Sequence, residues 1–210
     1  MRSFCHACHR PAVSCFCAIT TQFATEAEFA LIVHPYEAKS TVGTAWILRR
    51  SISNLHWFRS NGIALDDDSR LHSLLQAPDR VPLLLFPGQG ALNLTQAPEA
   101  DWQRLTPPSR RPLFFVIDGT WTQARQILRR SAILRALPAV SFSTTRLSEY
   151  GFKIQPHPAC LSTVESIHQV IEILAERGWG KLPARREHDE LIRIFREMVR
   201  FQLAQEPVRA

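Results

Sequence analysis

Asp118-Gly119-Thr120-Trp121 stands where an apolar run, Pro112 to Ile117, stops and a helical pattern begins. It therefore puts a carboxylate at the C-terminal edge of a buried strand. In open α/β sheets ligands collect at that edge, because loops leaving the strands and helix N-termini converge there with unpaired backbone N–H groups. Asp118 is a candidate general acid or base. A plainer reading makes Thr120 a helix N-cap with Gln123 completing a capping box, and Asp118 a turn acceptor. Trp121 is either a surface on which a planar substrate stacks or a core residue under the loop.

The cysteines suggest a second kind of chemistry. Four of the five fall within the first 17 residues, as Cys5-x2-Cys8-x6-Cys15-x-Cys17. Two close pairs of thiolates make a tetrahedral four-sulfur site, for which zinc is the expected ion. A closed shell of this kind has no open position for a substrate, so the metal is structural. It folds a short segment with too little apolar surface to fold alone. Disulfides are the competing reading, disfavoured in a reducing compartment. His6 and His9 are possible substitute ligands, and Cys160 reads as a small buried residue.

Two further strand ends belong to the same picture. Val81 to Phe86 ends in Pro87-Gly88-Gln89-Gly90, and the loop from Tyr150 to Glu165 closes on Ser162-Thr163-Val164-Glu165, which has the form of a capping box opening a helix with Ile167, Val170, Ile171 and Leu174 on one face. Capping and ligand contact are compatible at such an N-terminus. There is no P-loop and no G-x-G-x-x-G fingerprint.

The elements that must position these residues alternate between strand-like and helix-like patterns. Strands are expected at 30–33, 55–58, 81–86, 113–117 and 139–142. Helices are expected at 40–51, 69–76, 122–137, 162–177 and 185–205. Such alternation implies an α/β fold, a mainly parallel sheet with helices on both faces. The chain divides into a zinc knuckle over residues 1–25, one catalytic domain over 26–205 and a disordered tail at 206–210. The 210 residues are 45% hydrophobic and 21% charged, as in ordinary soluble globular proteins. No apolar stretch approaches the roughly 20 residues of a membrane span, so the chain reads as cytoplasmic. A formal charge of +6 favours a polyanionic partner only slightly.

Taken in order, these boxes resemble the DTW-domain family, named for its Asp-x-Thr-Trp motif. They are the cysteine pairs, His34-Pro35-x-Glu37, Leu84-Leu85-Phe86-Pro87, Asp118-Gly119-Thr120-Trp121 with Gln123-Ala124-Arg125, and Leu161-Ser162-Thr163-Val164-Glu165. The resemblance implies a tRNA-uridine aminocarboxypropyltransferase using S-adenosylmethionine, with a SPOUT-like fold and a C-terminal trefoil knot. It implies action on uridine N3 in the variable loop or the D loop, the variable loop fitting the bacterial branch. The implied roles are catalytic for Asp118, Thr120 and Trp121. Cofactor contacts fall to Leu85, Phe86, Pro87, Gly88, Ile117, Asp118, Gly119, Leu161, Ser162, Thr163 and Glu165, and substrate contacts to His34, Glu37, Lys39, Arg125 and Lys153. Phosphate contacts are expected from scattered basic residues, among them Arg10, Arg49, Arg125, Arg129, Arg135, Arg186 and Arg193. The chain departs from the family in two places. Val42-Gly43-Thr44-Ala45 replaces Asn-Thr-Gly-Arg, leaving Lys39 or Arg49 to supply the missing charge. Lys153 stands where relatives carry an arginine, keeping the charge but not the bidentate fork. The alternatives are a methyltransferase on the same fold and a zinc-containing RNA-binding module without activity.

Overall fold

The computed structural model describes residues 3–151 and 160–205. A small antiparallel hairpin, β1 (Phe4–Cys5) and β2 (Arg10–Pro11), opens the chain. Then follow β3 (Glu28–Val33), α1 (Ala45–Ser51), β4 (Leu55–Arg59), α2 (Ser69–Gln76), β5 (Arg80–Leu85), β6 (Leu92–Asn93) and α3 (Glu99–Leu105). The remainder is β7 (Arg111–Asp118), α4 (Trp121–Arg130), α5 (Ala132–Ala136), β8 (Ala139–Ser141), α6 (Thr163–Glu176) and α7 (Asp189–Leu203). Strands β3 to β8 form one sheet in the order β4-β3-β7-β5-β8-β6, with every neighbour parallel.

The apolar runs form strands because both faces of the sheet are covered. All six residues of β3 are buried, and alternate side chains enter two separate cores. Phe29, Leu31 and Val33 join Phe114 and Val116 of β7 under α1, α3, α6 and α7, while Ala30 and Ile32 join Leu113 and Phe115 under α2, α4 and α5. Removing one of these side chains, as in Phe115→Ala, carries a cost of about 3–5 kcal/mol. The hairpin is continuous with the first core through Cys8, Phe16 and Phe23, and Phe23 makes a parallel bridge to Ile52.

Several boundaries differ from those the sequence suggests, two for local reasons and one for a long-range reason. The helix expected from residue 40 begins at Ala45, because Glu37–Lys39 makes its own short 3-10 turn and the chain doubles back at Gly43, where a Cβ would lie 3.2 Å from the Glu37 carbonyl. The helix expected over 122–137 breaks at Ser131. Asp66, from a distant loop, accepts from the Ser131 hydroxyl and from the Ala132 and Ile133 amides at 2.7 and 3.2 Å, and Ser131 in turn caps α5. The last helix starts at Asp189 rather than 185, after Arg186 takes a left-handed conformation (φ 56°). The short elements β6 and α3 were not anticipated, since α3 buries only Trp102. Of the C-terminal part in which the resemblance implies a knot, residues 152–159 lie outside the described residues, as does the 206–210 tail. Among the described residues no helix is long and apolar enough to cross a membrane.

The N-terminal edge of the sheet is held by one carboxylate. Glu28 of β3 is buried and accepts from His56 Nε2 of β4 at 2.8 Å and Arg80 Nε of β5 at 3.0 Å, with Arg111 Nη1 of β7 at 3.3 Å. Four adjacent strands therefore start at one charge. Burial raises its pKa, but the His56 and Arg80 hydrogen bonds and the arginine charges outweigh it and hold Glu28 below the usual carboxylate range. A depressed folded-state pKa contributes stability above the unfolded value, about 4.3, that is lost as pH falls through the folded one. Glu28→Gln is expected to destabilise the protein by about 2–3 kcal/mol and to flatten the acid limb of a stability-versus-pH curve, measured by urea denaturation from neutral pH downwards.

Candidate active site

At the opposite edge, β3 and β7 end flush. Val33 pairs with Asp118, and the amide of His34 donates to the Asp118 carbonyl at 2.9 Å. The chain then turns through Gly119 into α4. A Cβ at Gly119 would sit 3.1 Å from Gln123 Oε1 and 3.5 Å from the His34 Cβ, so glycine allows the cap to close tightly. Thr120 is the N-cap: its amide donates to Gln123 Oε1 at 2.7 Å and its hydroxyl accepts from the Gln123 amide at 3.3 Å. The capping reading of Thr120 thus holds, and its hydroxyl is engaged in it.

Asp118 does more than accept a turn. Its carboxylate is buried and accepts the Thr163 hydroxyl at 2.5 Å, joining the end of β7 to the first turn of α6 across 45 residues of sequence. Asp118 and Thr163 share the wall of a cavity of about 750 Å³. Leu85, Phe86, Pro87 and Ile117 form its apolar side, with Trp121 set edge-on to Phe86 (centroids 5.7 Å). Trp121 is half-buried and lines the cavity. Gly119, Thr120, Leu161, Ser162 and Glu37 line it as well. Two helix N-termini, those of α4 and α6, therefore face one space that also holds a carboxylate.

Other expected residues lie elsewhere. Gly88 is exposed in a turn clear of the cavity. His34 backs Gly119: its Nδ1 accepts from the Tyr36 amide at 3.3 Å, and burial, with Arg130 nearby, lowers its pKa. Lys39 and Arg125 are exposed and off the cavity wall, and Lys153 lies outside the described residues. Glu165 sits behind the wall. One oxygen accepts from the Ser162 amide (2.7 Å), the Ser162 hydroxyl (2.6 Å) and the Ser148 hydroxyl (2.8 Å); the other accepts from the Glu149 amide (2.7 Å). It orders the N-terminus of α6 and the loop before it, and does not reach into the cavity.

Tyr150, Thr44 and Ser141–Thr144, to whose side chains sequence reasoning gave no role, are all on the wall. The last of these were findable as the C-terminal end of a parallel strand. Tyr150 was legible only as the start of the loop that runs to Glu165. Its hydroxyl donates to the Val42 carbonyl, and burial, reinforced by the charge of Asp118, raises its pKa. Of the residues around the departure at 42–45, Thr44 reaches the wall, whereas Lys39 does not and Arg49 packs over Trp46 and Trp57, 5.0 and 4.6 Å from the ring centroids. Nor is every basic residue open to a polyanion. Arg10 is buried over the Phe16 ring with its guanidinium directed to the Met198 sulfur and the Gly43 carbonyl. Arg186 and Arg193 hold carboxylates, and Arg135 caps α4 carbonyls.

The cysteine cluster fits a zinc ion. The four Sγ atoms lie within 4.8 Å of one another, with Cys5–Cys17 at 3.8 Å and Cys8–Cys15 at 3.6 Å. Zn–S bonds of about 2.3 Å at tetrahedral angles place sulfurs about 3.8 Å apart. Backbone hydrogen bonds, Cys8's first, lower the Cys5 thiol to about 6, whereas burial pushes Cys8 up to about 12. A divalent cation offsets that burial cost, since a coordinated thiol is deprotonated outright.

With this geometry in place, the comparisons with known proteins decide the family. The DTW domain matches residues 2–203. The chain belongs to the DTW-domain family. This DTW domain is 29% identical to "tRNA-uridine aminocarboxypropyltransferase 2" of Drosophila melanogaster over 84% of the chain and 68% of that protein. It is 26% identical to the mouse protein of the same name over 84% of the chain and 58% of that protein, so the animal relatives are substantially longer. With "tRNA-uridine aminocarboxypropyltransferase A" of Arabidopsis thaliana it shares 25% identity over 96% of the chain and 81% of that protein. No solved structure matches the chain.

Two outcomes test this geometry. Cobalt-substituted protein is expected to show thiolate-to-metal charge-transfer absorption that Cys8→Ser abolishes, together with a fall in Tm, because the knuckle core shares the main core. Glu165→Gln keeps the shape but turns an accepting oxygen into a donor, with an expected loss of about 2–3 kcal/mol by urea denaturation.

Proposed function

We propose that this DTW domain transfers the 3-amino-3-carboxypropyl group of S-adenosylmethionine to N3 of a tRNA uridine, in the variable loop. The observation that carries the reading is a buried carboxylate, Asp118, held by Thr163 on the wall of an apolar cavity into which two helix N-termini point. The names of the relatives support tRNA and the aminocarboxypropyl group. The donor, the N3 position and the variable loop follow from the family resemblance and the chemistry.

The donor supplies an electrophilic carbon beside a sulfonium. Everything else falls to the chain's own residues. About 750 Å³ suits a nucleoside with a short tail, and Leu85, Phe86, Pro87 and Ile117 make an apolar slot for it. The N-terminus of α6, with Ser162 and Thr163, presents hydroxyl and amide groups to a carboxylate tail, the grip that selects which carbon faces the nucleophile. Uridine N3 carries a proton and is a poor nucleophile until it is lost. Asp118 takes that proton as the N–C bond forms and the C–S bond breaks, releasing methylthioadenosine. The Thr163 hydroxyl fixes the orientation of the carboxylate, and the same negative charge steadies a cationic donor. Trp121 and Phe86 offer flat faces at the mouth.

The test uses bulk unmodified tRNA and S-adenosylmethionine labelled separately in its methyl and carboxyl carbons, with the RNA digested to nucleosides. Carboxyl label on uridine with methylthioadenosine released is the expected result. Methyl label would make the protein a methyltransferase, and no label with tRNA still bound would make it a binding module. Asp118→Asn is expected to lower turnover about 10²–10⁴-fold while S-adenosylmethionine still binds.

A further inference from the structure

A second cluster of metal-ligating groups lies away from the cysteines, between α6 and α7. His168 and Glu172 are one turn apart on α6, and His188 and Asp189 stand where α7 begins. One ligand atom from each converges, all four lying within 4.8 Å of one another. His168 Nε2 is 2.9 Å from Asp189 Oδ1, and His188 Nε2 is 2.7 Å from Glu172 Oε1 and 3.6 Å from Asp189 Oδ1. The two imidazoles stack (centroids 5.0 Å, 29° apart), so that both present Nε2 to the same point. Both are buried, their side chains 7% and 0% exposed.

We propose that His168, Glu172, His188 and Asp189 form a binding site for a divalent first-row metal ion of the zinc type, separate from the four-cysteine site.

The donor set selects the ion. Two imidazoles and two carboxylates suit zinc and its neighbours, while magnesium and calcium take oxygen shells. Ligands about 2.0–2.1 Å from an ion at tetrahedral angles stand about 3.4 Å apart, within the range these atoms span. Two carboxylates balance the two charges of the ion. Arg186 borders the site: its Nε donates to Asp189 Oδ2 at 2.9 Å, while its Nη2 donates to Glu172 Oε1 and, at 3.3 Å, to Asp189 Oδ1, so an ion that takes those two oxygens displaces the Nη2 contacts and leaves the Nε bond to Oδ2 as outer support. Entry is provided for. His168, Glu172 and Asp189 line a cavity of about 470 Å³ with Arg146, Glu149 and Arg196. That cavity shares Leu161 with the site of Asp118, so an ion here clamps the helix whose first turn holds Thr163.

A metal-free account exists, in which two histidine–carboxylate hydrogen bonds and Arg186 alone join the helices. The two are separated by titrating cobalt(II) into the full chain while following absorbance, metal content after gel filtration, and Tm. The thiolate site gives charge-transfer bands. The proposal expects a further equivalent of cobalt bound without such bands, competed by zinc, with Tm of the wild type, its thiolates already filled with zinc, rising by about 5 °C more at zinc concentrations a hundredfold above the Kd of the second site, all Tm comparisons starting from protein loaded in this way. His168→Leu and Glu172→Gln are each expected to lose that equivalent and the zinc-dependent rise in Tm, leaving the thiolate bands intact. If the wild type binds cobalt only at the thiolates and its Tm does not respond to added zinc, the proposal is overturned, whatever the variants do. A second equivalent that persists in both variants overturns it too, by placing the ion elsewhere.

Discussion

A strand buried on both faces has room for charge only at its ends. β3 and β7 are such strands, and their lack of any solvated face dictates where the chemistry sits. Glu28 and Arg111 mark the starts of the two strands; Asp118 marks the end of β7. Between them nearly every side chain packs into one of two cores, and Val116 and Ile117 also reach the cavity wall. Because all six strands are parallel, their C-terminal ends share one edge, and the helices that follow must begin there with free amides. Asp118 meets Thr163 as a consequence of that topology, although 45 residues of chain separate them.

What was legible in the sequence was what local physics decides. The apolar runs gave β3, β5 and β7. The Thr120–Gln123 cap was readable because both of its hydrogen bonds close within three residues, and the cysteine knuckle because its ligand spacing is itself local. Asp118 was readable because an acidic residue at the end of such a run has few structural reasons to be there. What was not legible depended on distant partners. Asp66 breaks a helix some 65 residues away at Ser131. Arg10 looked like an RNA contact by type and is instead packed on Phe16 beside Met198, a residue at the far end of the chain. Charge assigns a residue to the surface only where nothing else satisfies it.

Two carboxylates near the same helix start show how environment divides the work. Glu165 and Asp118 both belong to family boxes, and both lie close to Ser162 and Thr163. Glu165 accepts four hydrogen bonds from the chain itself and is turned from the Asp118 cavity. A carboxylate whose oxygens are taken up by four donors of the chain itself serves to position them. Asp118 lines the cavity and is oriented by the hydroxyl of Thr163. The two residues therefore act in series. Glu165 fixes the first turn of α6; that turn fixes Thr163; Thr163 fixes Asp118. On the proposed reading of Asp118, a defect at Glu165 reaches the cavity as misplacement of a group rather than loss of one, which separates it from a change at Asp118 by leaving the proposed reaction possible but slow.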